Sequence, residues 1–148
     1  MIPASIRSLG EAMPANTSVE LQLLFCAIAL GIVQLLLAVL ASVAGRGMGW
    51  AVGTRDEGWP PLGTWGGRLE RAYKNFLETF PFFAAAVLLA HALDKSGPNS
   101  VLGAQIYLWA RVIYIPVYVI GIPYLRTLVW TASLVGIVMV LAAIWPGM

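Results

Sequence analysis

From Leu21 to Ala44 the chain runs for twenty-four residues without a charge, and only Gln22, Gln34 and Ser42 interrupt its apolar character. As a helix rising 1.5 Å per residue, that run is about 36 Å long, enough to cross a hydrocarbon core of about 30 Å. A cleaved secretory leader is the competing reading, because Ser42-Val43-Ala44 resembles a cleavage site. The run exceeds the usual length of a leader core, and Glu11 and Glu20 spoil the basic segment that should precede it. A retained membrane span is therefore expected. The rest of the chain agrees: 59% of the 148 residues are hydrophobic and 11% charged, against roughly 25% charged in an average soluble domain. A soluble fold of one-domain length has too little interior to hide so much apolar surface. This excludes disorder, a disulfide scaffold and most soluble enzymes.

Three further spans are expected. Phe80 to Leu93 is apolar apart from His91 but too short to cross, so its helix must begin earlier, near Arg68. That draws Arg71, Asn75 and Glu78 into or beside the membrane. The Asp94–Ser100 segment ends this helix with turn residues. A third span runs from about Val101 to Ile122 with Arg111 at its middle, and Pro116 should kink it. A fourth runs from about Tyr124 to Trp145. Residues 45–67 read as a loop rich in glycine, with Trp50, Trp59 and Trp65 suited to the headgroup level. The expected fold is an all-α, integral membrane four-helix bundle. Residues 1–20 form an extramembrane segment and residues 21–148 a single membrane domain. Arg46, Arg55, Arg68, Arg71, Lys74 and Arg126 lie toward one face and only Arg7 and Lys95 toward the other. The positive-inside rule then puts the first and third loops in the cytoplasm.

Cys26 is the only cysteine and His91 the only histidine, so the chain can form no intramolecular disulfide and has no Cys/His metal cluster. The net charge of +2 comes without a dense Lys/Arg block, which argues against nucleic acid as a partner. Gly45-Arg46-Gly47 lacks the strand before it and the Gly-Lys-Ser/Thr after it that a phosphate loop needs.

The chemistry lies in ionisable residues at membrane depth, which are costly unless paired or functional. Arg68, Arg71, Asn75, Glu78 and Phe82 fall on one stripe of the second helix. Arg111, Tyr114 and Tyr118 fall on one stripe of the third. Glu78 and Arg111 have matching depths, and an ion pair between them is expected. A polar network that merely joins helices accounts for that pair. It does not account for the surplus of cations: Arg68, Arg71, Lys74 and Arg126 against one Glu78. That surplus, with an amide and two phenols, suits a small anionic polar ligand.

The segment Arg71-Ala72-Tyr73-Lys74-Asn75-Phe76-Leu77-Glu78-Thr79-Phe80-Pro81-Phe82 resembles the helix-two signature of the MAPEG family, the membrane-associated proteins in eicosanoid and glutathione metabolism. Ala110-Arg111-x-x-Tyr114-x-x-x-Tyr118 resembles the family's helix-three motif. The resemblance covers about residues 20–145. It implies a homotrimer with glutathione bound as cosubstrate between subunits near the cytoplasmic end. Arg71, Asn75, Glu78, Tyr114 and Tyr118 match glutathione-contacting positions, and Arg111 matches the arginine that pairs with the helix-two glutamate. Arg126 resembles the arginine that stabilises the glutathione thiolate. Arg46 is the candidate for an arginine reaching the neighbouring subunit's ligand, with Arg55 the alternative. Thr79 is shared with prostaglandin-forming members, while Tyr114 stands where those have His. The short chain looks most like the bacterial branch, hence a bacterial inner membrane.

The expected function is glutathione transfer to, or glutathione-dependent reduction of, a lipophilic electrophile arriving from the bilayer. The alternative is a non-enzymatic lipid-binding or accessory protein of the same fold, because fold alone does not set function. A small channel or transporter would need a continuous polar stripe, and the fourth span has only Thr127, Thr131 and Ser133 beyond Arg126.

Overall fold

The computed structural model describes residues 18–54 and 60–145. Most of the expected N-terminal segment, Arg55 and Trp59 lie outside the described residues. Those residues form five helices and no strand: α1 (Val19–Arg46), α2 (Met48–Val52), α3 (Thr64–Ala92), α4 (Pro98–Ile120) and α5 (Pro123–Ile144). All but α2 are long and apolar enough to span a membrane.

Each boundary has a local cause. The Ser18 side chain accepts from the Leu21 N–H at the start of α1, and Gly47, at φ 87°, ends it. Asp94, at φ 53°, turns the chain out of α3. Gly97 N–H donates to Ser100 Oγ at 2.8 Å and Pro98 occupies the first turn of α4, where the missing proline N–H has no helical partner to lose. Gly121 is left-handed at φ 91°, and Pro123 opens α5 at once.

Two details differ from the sequence expectation. The 45–67 loop contains α2, and α3 begins at Thr64, a full turn before Arg68. The extra turn brings Arg68 beside the end of α4. Its Nη1 donates to the Val119 carbonyl at 2.7 Å and to the Ile120 carbonyl at 3.1 Å, two of the carbonyls a helix C-terminus leaves unpaired. A Cβ on Gly121 would lie 2.9 Å from the Arg68 guanidinium. Gly121 thus serves both the left-handed turn and the cap. The charge counted as surplus at Arg68 is engaged in holding α4.

The helices meet on small residues. A Cβ on Gly103 would lie 2.7 Å from the Gly136 carbonyl oxygen, and one on Gly136 would lie 2.6 Å from the Gly103 carbonyl oxygen and 2.8 Å from Tyr107 N. Backbone approach of this kind is what small residues allow between membrane helices. The obstructing atoms are backbone and cannot rotate away. Gly136→Ala is therefore expected to lower stability by about 2 kcal/mol, as overpacking does, read as a lower melting temperature in detergent. An unchanged melting temperature would show that the α4/α5 crossing relaxes at no cost.

The interior divides into two halves. Toward the start of α1, an apolar cluster joins Leu24, Phe83, Val87, Tyr107 and Val140. Glu20, 1% exposed, sits above it and accepts from Ser100 Oγ, linking the first turns of α1 and α4. The other half holds a smaller cluster of Ala72, Ala110, Tyr114 and Val129. The polar stripe residues begin where these two halves meet. The outward faces carry large exposed apolar side chains such as Phe25, Leu36, Leu40 and Val138, as lipid contact requires.

Candidate functional site

Arg111 is the centre of the site. It is 1% exposed, fixed at mid-helix in α4. Its Nη1 donates to Asn75 Oδ1 at 2.8 Å and its Nη2 donates to Thr79 Oγ1. Asn75 Nδ2 in turn donates to Glu78 Oε2 at 3.2 Å. The expected direct Glu78–Arg111 ion pair is therefore replaced by a relay through the Asn75 amide. The reason is azimuth: equal depth brings the two residues level, but Glu78 lies on the exposed flank of α3, while Asn75 and Thr79 face α4. Among the described residues the ion pair is instead Arg46–Glu70, at 3.2 Å.

Aromatic rings surround the guanidinium. Arg111 Cζ is 5.6 Å from the Tyr107 ring centroid and 5.5 Å from that of Tyr114, within cation–π range. Tyr107 stacks on Phe83 at 3.9 Å, and its hydroxyl is 3.4 Å from Thr79 Oγ1. On the other side, Tyr114 meets Tyr118 with ring centroids 5.4 Å apart, and Arg126 Cζ lies 5.0 Å from the Tyr118 centroid. The line Arg126–Tyr118–Tyr114–Arg111 thus runs without a break from the first turn of α5 to the middle of the bundle.

Beside that line is an open recess of about 270 Å³, lined by Arg71, Lys74, Asn75, Glu78 and Tyr118. All five were singled out in the sequence, Lys74 as one of the surplus cations. Tyr114 is buried behind Tyr118, and Arg126 stacks on Tyr118 at the margin. Arg71, Lys74 and Glu78 are exposed on the isolated subunit. The recess carries two cations and one carboxylate, with a third cation beside it, a net positive set of the kind that attracts small polar anions.

Arg46 is elsewhere. At the last residue of α1, its Nη atoms reach Glu70 at 3.2 and 3.5 Å, its Nε donates to the Pro60 carbonyl at 2.8 Å and its Cζ is 4.7 Å from the Trp50 ring centroid. It clasps α1 to α3 within its own subunit. Arg55, the alternative, is outside the described residues.

Three contributors escaped the sequence reading of the site: Tyr107, Thr79 as a hydrogen-bond partner and Glu70. Tyr107 precedes Arg111 by four residues and Thr79 follows Asn75 by four, so the helical period that found the stripes also reaches them. For Glu70 nothing in the sequence distinguishes it as the partner of Arg46.

An all-α bundle with four helices long and apolar enough to span a membrane, and a cationic recess on its two central helices, is an integral membrane protein. The family model for the MAPEG family matches residues 23–145, and the chain belongs to that family, known for glutathione-related and eicosanoid metabolism. No curated protein and no solved structure matches it.

Proposed function

We propose that the protein is a glutathione-dependent membrane transferase or peroxidase acting on lipophilic electrophiles. The observation that carries this reading is the recess itself: Arg71, Lys74, Asn75, Glu78 and Tyr118 around one opening, with Arg126 stacked on Tyr118 at its edge. Cations meet the carboxylates of glutathione, Glu78 meets its ammonium and the Asn75 amide meets its peptide groups. The thiol falls to Arg126. A free thiol near pKa 8.5 is mostly protonated at neutral pH, and the thiolate is the nucleophile. An adjacent guanidinium favours the anion.

The same recess favours a homotrimer. Arg71 and Glu78 are exposed on one subunit, and charge presented to lipid is costly. A neighbouring subunit that covers this flank of α3 removes the cost and completes the ligand's enclosure. The working arrangement is then a trimer in a bacterial inner membrane, its recess and its first and third loops on the cytoplasmic side, with residues 21–148 as one functional domain. The non-enzymatic alternative, a lipid-presenting protein, has no use for so many hydrogen-bonding groups around one opening.

Glutathione at about ten times its dissociation constant is expected to stabilise the folded protein by about 1.4 kcal/mol, read as a raised melting temperature in detergent. No shift at millimolar glutathione sinks the proposal, and a shift with cysteine alone reassigns the thiol.

A further inference from the structure

Two hollows meet between α1 and α3. The deeper one, about 190 Å³, is walled by apolar side chains such as Ile28, Ile32 and Phe80. The shallower one, about 230 Å³, reaches Ser42, Trp50 and Glu70 near the end of α1. Leu35 and Tyr73 line both, so the two form one groove. It rises about 21 Å from Ile28 to Ser42, one leaflet's hydrocarbon depth of about 15 Å plus the headgroup region. Small residues on α1 leave the space. A Cβ on Gly31 would lie 2.7 Å from the Phe76 ring, and Ala38 lines the shallower part. The groove shares no lining residue with the recess. Tyr73 and Arg71 are two residues apart, about 200° around the helix, and the two openings lie on opposite flanks of α3.

The groove is apolar at depth and polar at its end, the profile of an amphiphile. The charge presented at that end is negative. The Arg46 side chain is 4% exposed, with its donors turned to Ser42 Oγ at 2.8 Å, to the Pro60 carbonyl at 2.8 Å and to Glu70 at 3.2 and 3.5 Å. The Glu70 side chain is 34% exposed and lines the groove. A carboxylate offers about four lone-pair sites, and two contacts with Arg46 leave others for a donor in the groove. We infer that the groove holds one acyl chain of a bilayer lipid whose head carries a primary ammonium, and that the ammonium donates to Glu70. The chain supplies the dispersion contacts that an empty groove forfeits. This lipid is a ligand separate from the thiol compound and from the electrophile, and the inference stands apart from the proposed function.

The test uses full-length protein in nanodiscs of equal parts phosphatidylethanolamine, phosphatidylcholine and phosphatidylglycerol with identical chains, released and weighed by native mass spectrometry. The choline head is a cation without N–H donors, and the glycerol head lacks the cation. Wild type is expected to retain one ethanolamine lipid per subunit, favoured about 10-fold over the choline lipid, the size of one charge-assisted contact. In Glu70→Gln, which keeps the shape and an acceptor for Arg46, that preference falls below about 2-fold while a lipid stays bound. Val39→Trp, at an exposed wall of the groove, fills it and removes retained lipid of every head. Val138→Trp, on the outward face of α5, leaves retention unchanged. Equal retention of the three heads by wild type overturns the inference, as does a full ethanolamine preference in Glu70→Gln. Absence of retained lipid in wild type, the result expected if a second copy covers the groove, overturns it too, and so does unchanged retention in Val39→Trp. Should Glu70→Gln fail to fold, the wild-type head preference and its loss in Val39→Trp decide.

Discussion

Arg111→Ala is expected to destabilise the protein by about 3–4 kcal/mol. Two hydrogen bonds from a charged donor are lost, each contributing about 1.5–3 kcal/mol, and a cavity opens between Tyr107 and Tyr114. The effect should appear as a large fall in melting temperature in detergent. Double-mutant cycles identify the partner. Arg111 touches Asn75 and Thr79 and makes no ion pair with Glu78. The coupling of Arg111→Ala to Asn75→Ala is therefore expected to exceed about 1 kcal/mol, and its coupling to Glu78→Ala to stay below about 0.5 kcal/mol. Strong coupling to Glu78 with none to Asn75 would restore the direct pair and discard the relay.

The second large effect is catalytic. Arg126→Ala is expected to leave glutathione affinity within a few-fold, to raise the pKa of the bound thiol and to cut turnover of a generic electrophile by about 10²-fold, or about 2.7 kcal/mol of lost transition-state stabilisation. The thiolate's ultraviolet absorbance followed against pH reads the pKa directly. The direction is fixed by charge: a guanidinium near sulfur favours the anion, so its removal shifts thiolate formation to higher pH. Unchanged pKa and turnover would make Arg126 an interfacial anchor packed on Tyr118.

Both predictions rest on residues visible in the sequence, but in different ways. The span positions followed from apolar length, since a bilayer accepts few other solutions. The stripe Arg71, Asn75, Glu78 followed from the helical period, and the recess gathers all three. Depth was legible because antiparallel helices of known rise count residues from the same surface. Azimuth was not. Whether Arg111 meets Glu78 or Asn75 depends on how α3 and α4 rotate about their axes. That rotation is set by contacts such as Gly103 against Gly136 and Gly31 against the Phe76 ring, which no single helix reveals. The same limit explains Arg68, whose charge looked available until the register of α3 brought it to the end of α4, and Arg46, whose partner Glu70 lies twenty-four residues away.

The two helices that carry the polar groups, α3 and α4, are also the two least apolar of the spans, while α1 and α5 are strongly so. This has a consequence for how the chain enters a membrane. A segment bearing Arg71, Asn75 and Glu78 has little reason to leave the insertion channel alone, and neither has one bearing Arg111. Joined by the short turn after Leu93, they can leave as a hairpin, with Asn75 and Thr79 already solvating the guanidinium. The contacts that arrange the ligand site are then the contacts that admit the middle of the protein to the bilayer. A substitution at Asn75 would be felt at biogenesis before it was felt at binding.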